Sequence, residues 1–167
     1  MRDLGAAISP FNAFLTPEGL ETLPLRIDRH SSNAAKVADW LSKSPEVANV
    51  IYTGLQTDRA RERAETYLRG GFGGLVGFEL AAGRDAGRRF IDALQLFYNV
   101  ANIGDARSLA IHPASTTHSQ LNPAERVKTG ATEGYVRLSI GVEHIDDILA
   151  DLEQALSAAG QAKVAAE

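Results

Sequence analysis

The segment YVRLSIGV, residues 135–142, constrains the fold of this chain more than any other. Val136, Leu138, Ile140 and Val142 fall on one side of an extended backbone, and Tyr135, Arg137 and Ser139 on the other. Such alternation predicts a strand that buries one face and leaves the other free. HIDDILADLEQALSAAG follows at once, with Ile145, Ile148, Leu149, Leu152 and Leu156 on one stripe of a helix that should end near Gly160. A half-buried strand followed by an amphipathic helix predicts a sheet covered by helices on its dry face.

The other elements fit that plan. Thr16, Pro17 and Glu18 read as a cap, a first-turn proline and a first-turn acid. From there Leu20, Leu23, Ile27, Ala34, Val37 and Leu41 keep a helical spacing to about Ser44 and Pro45, with His30 filling the gap. Pro24 should kink the first turns or delay the regular helix. VANVIYTGL reads as a short strand and DRARERAETYL as an exposed helix. GGLVGFELAAG reads as a strand with Val76, Phe78 and Leu80 on one face. RDAGRRFIDALQLF reads as a helix with Ala86, Phe90, Ala93, Leu94 and Phe97 along one stripe. Residues 99–133 read as mostly irregular, with a strand at SLAIH.

The predicted class is therefore α/β, α+β-like: a mixed or antiparallel sheet with helices on one face, rather than a doubly wound sheet. At 167 residues, 44% of them hydrophobic, the chain has the size and composition of one globular domain. A net charge of −4 gives no basis for nucleic acid or an anionic membrane as partner. No apolar run reaches the roughly 20 residues of a membrane span. MRDLGAAISPF has neither the basic start nor the apolar core of a signal peptide. The absence of cysteine removes disulfides, thiol nucleophiles and thiolate metal sites, and the expected setting is cytoplasmic.

The chemistry-bearing residues gather in VANIGDARSLAIHPASTTHSQL, residues 100–121, and in Arg137. Arginine presents paired planar donors that match a carboxylate. Spacing alone leaves Arg137 either as a solvent-facing strand residue, the commoner case, or as a carboxylate clamp. Asn102 either donates to such a ligand or closes a turn on its own backbone. His112 and His118 lack the one-turn spacing of a helical metal site, and no metal is expected. His112 with Pro113 reads as a strand end, and His30 as a hydrogen-bonded core or interface residue. RGGFGGLVGFELAAG lacks the lysine and hydroxyl of a phosphate loop and precedes a strand, so it reads as a tight approach to the sheet edge.

AAISPFNAFLTPEGLETLPLRIDRH, NIGDARSLAIHPASTTHSQL and GYVRLSIGVEHIDDILADLEQAL together resemble the C-terminal region of the Cys/Met-metabolism enzymes that use pyridoxal phosphate. The most similar branch is the O-acetylhomoserine sulfhydrylases, and the resemblance runs from about Arg2 to Ala158. It implies the small C-terminal domain of the fold-type I transferase architecture. The implied division is a lead-in segment over 1–16, the small domain over 17–160 and a frayed tail over 161–167.

In this family Arg137, in VRLSIG, grips the substrate α-carboxylate, and Asn102, in NIGD, flanks it. Other branches carry serine where Asn102 stands. Ser108 and Thr117 lie in the motif and receive no chemical role. The implied reaction of a full-length parent is replacement of acetate by sulfide to give homocysteine. Elimination, as in the family's lyases, or a short non-catalytic subunit are the alternatives. Implied partners are an amino-acid substrate, an N-terminal cofactor domain missing from this chain, and further copies in a homo-oligomer. The lysine that bonds pyridoxal phosphate, and the residues that hold its ring and phosphate, are also missing. Lys36, Lys43, Lys128 and Lys163 are the lysines present, so no covalently bound cofactor and no activity are expected of these residues alone.

Overall fold

The alternating segment does become a strand at the middle of a one-sided sheet. The computed structural model describes residues 5 and 7–160, so the tail expected to fray lies outside the described residues. Among these residues five strands, β1 (Val47–Ile51), β2 (Leu75–Leu80), β3 (Tyr98–Asn99), β4 (Leu109–Ile111) and β5 (Tyr135–Ser139), lie in the order β1-β2-β5-β4-β3. All neighbours are antiparallel except β3 and β4, which run parallel. β5 is paired on both edges, so Gly77 of β2 and Ile111 of β4 stand opposite Arg137.

Among the described residues six α-helices accompany the sheet: α1 (Pro10–Glu21), α2 (Leu23–Leu41), α3 (Asp58–Tyr67), α4 (Gly83–Ala93), α5 (Pro123–Thr129) and α6 (Ile145–Gly160). The core lies between the sheet and α2, α4 and α6. Val76 and Phe78 of β2 and Val136 and Leu138 of β5 meet Val37, Leu41, Phe90, Ile148 and Leu152, all fully buried. Phe78 and Phe90 meet edge to face with centroids 5.3 Å apart. Burying each such side chain contributes roughly 1.5–3 kcal/mol, which makes this face the source of the fold's stability.

Two buried polar residues of α2 tie it to the turn after β5. His30 Nδ1 lies 2.6 Å from the Ile140 carbonyl oxygen. The Asn33 amide donates to the Gly141 and Glu143 carbonyls at 3.1 and 3.0 Å. The expected hydrogen-bonded core histidine is therefore found.

Three expectations are corrected. The first helix starts at Ser9, whose side chain accepts from the Asn12 N–H with Pro10 following, and not at Thr16 and Pro17. Pro17 lies inside α1, and the helix breaks at Thr22, so the Pro24 irregularity becomes the start of α2. The stripe is also half unpartnered: Leu20, Leu23 and Ile27 are exposed, and burial begins only at His30.

α4 stops at Ala93, before Leu94 and Phe97. The reason is tertiary. The buried Asp151 carboxylate of α6 accepts from the N–H groups of Gln95, Leu96 and Phe97 at 2.9, 2.9 and 3.2 Å, and so fixes that segment in a non-helical course. Last, the segment read as irregular contains α5. Asn122 and Glu125 form a reciprocal capping box, Pro123 follows the cap, and Gly130 closes the helix at φ 77°. Among the described residues no helix is long and apolar enough to cross a membrane.

Candidate functional site

Because Val136 and Leu138 point into the core, β5 must present Arg137 on the uncovered face of the sheet. Its Nη2 donates to the Asn102 carbonyl oxygen at 3.1 Å. Its Nε is buried without a hydrogen-bond partner among the described residues. A shielded guanidinium N–H with no acceptor is costly unless a ligand supplies one. The Asn102 side chain closes a local turn, its Oδ1 accepting from the Ile103 N–H at 2.9 Å. The turn is anchored to the sheet where the Gly104 N–H donates to Ser139 Oγ at 3.2 Å. Arg137 and Asn102 are thus brought together, through the asparagine backbone.

Two cavities open on this face, one of about 550 Å³ toward α3 and one of about 430 Å³ toward the 101–131 segment. Ile51, Tyr135 and Arg137 line both. The alternation puts Tyr135 on the polar face of β5 but does not by itself mark it as a site residue. The signal available in the sequence was Gly77, since a glycine inside a strand marks a close approach. A Cβ there would meet the Tyr135 hydroxyl oxygen at 2.5 Å. Burial raises the Tyr135 pKa, and the nearby Arg137 charge opposes that rise more weakly.

Most of the polar motif serves the fold. Ser108 is fully buried; its hydroxyl donates to Glu143 Oε2 at 3.0 Å and accepts from the Gly141 N–H at 2.8 Å. The His112 ring is held at both nitrogens, by Ser115 Oγ and the Glu133 carbonyl oxygen, each at 2.9 Å. Burial lowers the His112 pKa, chiefly by excluding water from its charged form. With both ring nitrogens occupied, His112 has no position for a metal, and among the described residues no group of three or more His, Asp or Glu converges. Arg107 bonds to Tyr98 through Nη1 at 2.6 Å. Thr117 and His118 alone of the motif's histidine and hydroxyl residues line the cavity beside Arg137.

The described lysines, Lys36, Lys43 and Lys128, line neither cavity. Lys43 pairs with Asp39 at 2.6 Å, and Lys36 and Lys128 are exposed. Lys163 lies outside the described residues. The donors at Arg137 suit a carboxylate.

The described residues thus form an α/β unit, a mixed sheet helix-covered on one face with a shielded arginine on the other. The chain belongs to the Cys/Met metabolism PLP-dependent enzyme family, whose model matches residues 1–157. It is 58% identical over 157 residues to the O-acetyl-L-homoserine sulfhydrylase of Leptospira meyeri, with 93% of this chain and 36% of that protein covered. It is 49% identical over 158 residues to the L-methionine gamma-lyase of Pseudomonas putida, covering 92% of this chain and 38% of that protein. A Campylobacter jejuni crystal structure, described as an O-acetylhomoserine (thiol)-lyase with a pyridoxyl-lysine group, superposes with a TM-score of 0.84. That match has 46% identity and covers 93% of this chain and 37% of the other. The chain therefore spans little more than a third of the relatives it matches, and the predicted fold class stands.

Proposed function

We propose that these residues form the small domain of a cytoplasmic O-acetylhomoserine sulfhydrylase-like enzyme, and that their role is to bind the α-carboxylate of the amino-acid substrate. The observation that carries this reading is Arg137: it stands on the open face, pinned at Nη2 by the Asn102 carbonyl, with Nε shielded and unpartnered. The 58% identity to a sulfhydrylase supports that branch.

In this reading the overall reaction replaces the acetate of O-acetylhomoserine with sulfide and releases homocysteine. The part of Arg137 is positional. Two parallel N–H···O bonds to a carboxylate fix both the distance and the plane of the bound acid, which holds its reacting carbons in one orientation. Asn102 limits the swing of the guanidinium by accepting from it. The cofactor and the groups that hold it would come from a further domain of the full-length protein. These 167 residues alone would then be catalytically inert.

The surface of α1 supports the further domain. Phe11, Phe14, Leu15 and Leu20 are all exposed, and no residue of α1 is buried. An apolar strip of this kind marks a face made to be covered, by that domain or within a homo-oligomer.

Arg137→Lys in the full-length enzyme tests the reading. A point charge cannot reproduce the fork, so KM for the amino-acid substrate should rise roughly tenfold or more. An unchanged KM would remove Arg137 from the site. The lyase reading is favoured by one observation, the 49% identity to a methionine gamma-lyase. Product analysis with and without sulfide separates the two: homocysteine formed only with sulfide supports replacement, and a keto acid formed without it supports elimination.

A further inference from the structure

We propose that Tyr135 is a second recognition group for the substrate carboxylate, its hydroxyl held beside Arg137 because Gly77 leaves the ring room to lie across β2. The inference rests on Arg137 being the carboxylate clamp.

The register makes the argument. Tyr135 stands opposite Glu79 on β2, and Arg137 stands opposite Gly77. A side chain that kept to its own rung would end over Glu79. Instead a Cβ added at Gly77 would meet the Tyr135 hydroxyl oxygen at 2.5 Å, Cε2 at 2.7 Å and Cζ at 2.9 Å. The ring therefore leans one rung along the sheet, and its hydroxyl ends over the residue paired with Arg137. Glu79 is engaged elsewhere, by the Thr132 hydroxyl and by the Gly134 N–H at 3.2 Å, so it does not draw the phenol back.

The chemistry agrees with that placement. Tyr135 is half-buried and lines both cavities with Arg137, yet no hydrogen bond joins its hydroxyl to a described residue. A tyrosine held in so close a fit normally finds a partner for its O–H. A carboxylate has about four lone-pair positions, and an arginine fork fills only two. A phenol O–H beside the fork can donate to one of the others. Burial keeps the phenol protonated to higher pH than usual, so it remains a donor. The site then recognises an acid by three donors, two from arginine and one neutral.

Tyr135→Phe in the full-length holoenzyme is the test, run beside Arg137→Lys and with sulfide KM as the internal reference. The phenylalanine keeps the ring and removes only the donor. Loss of one hydrogen bond to a charged ligand should raise KM for the amino-acid substrate roughly tenfold, with the loss on KM rather than kcat and no change for sulfide. Gly77→Ala should act in the same direction, because its methyl displaces the hydroxyl while leaving the phenol intact. If Tyr135→Phe leaves the amino-acid KM unchanged while Arg137→Lys raises it, Tyr135 is a packing residue and this inference is overturned alone. If neither variant moves that KM, the carboxylate reading falls with it.

Discussion

The two faces of the sheet come from the same strands and behave in opposite ways. On the covered face of β5, Val136 and Leu138 are fully buried among α2, α4 and α6. On the open face the alternate residues, Tyr135 and Arg137, are half-buried, line two cavities and carry donors that no described residue takes up. One face holds the fold together, and the other is left open. The comparison teaches that Arg137 has a firm support without being part of what makes the support stable.

Substitutions should separate the faces. Phe90→Ala removes a fully buried ring packed on Phe78 and should cost about 3–5 kcal/mol, read as a lowered midpoint in chemical denaturation. Asp151→Ala comes next, at about 2–3 kcal/mol, because three N–H groups lose their charged acceptor. A third effect is pH-dependent. His112 has a lowered pKa in the fold, so the unfolded chain takes up a proton first as pH falls. Stability from this group is complete above the unfolded histidine pKa of about 6.5 and declines as pH drops below it. Denaturation midpoints from pH 7 to pH 5 should fall less steeply for His112→Asn than for the unaltered protein.

Open-face changes should leave stability almost alone. Arg137→Gln should shift it by no more than about 0.5 kcal/mol. A loss as large as that of Phe90→Ala would mean that Arg137 is structural and would erase the contrast between the faces. Smallest of all in folding free energy is Phe14→Ser on α1, where the ring is 60% exposed. Its expected effect is on association: sedimentation of the 167-residue chain should show self-association that weakens in the variant. A clean monomer at high concentration before any substitution would show that the α1 strip is not adhesive.

Much of this was legible in the residues. Alternation in YVRLSIGV placed Arg137 opposite the core, and the apolar stripes of α4 and α6 marked the helices that cover it. Other signals were present and misread. The Ser9 and Pro10 pair makes the same cap-and-proline signature as Thr16 and Pro17, seven residues earlier. Asn122, Pro123, Glu125 and Gly130 spell out α5 by ordinary capping rules, hidden by the irregular composition around them. Ser108, given no chemical role, and His112, read as a strand end, do serve the fold, since buried polar groups that tie loops together are the same residue types as those that touch ligands.

By itself the sequence determined which side chains share a face, since strand and helix periods are local properties of the backbone. It also carries the family likeness, which lies in contiguous motifs. Tertiary structure alone decided where α4 ends, because the acceptor that captures Gln95–Phe97 comes from Asp151, more than fifty residues on. It likewise decided that Arg137 meets the backbone of Asn102 and that Tyr135 lies across Gly77. Each of those contacts joins segments that touch only after the strands have paired, and pairing register is a property of the whole sheet.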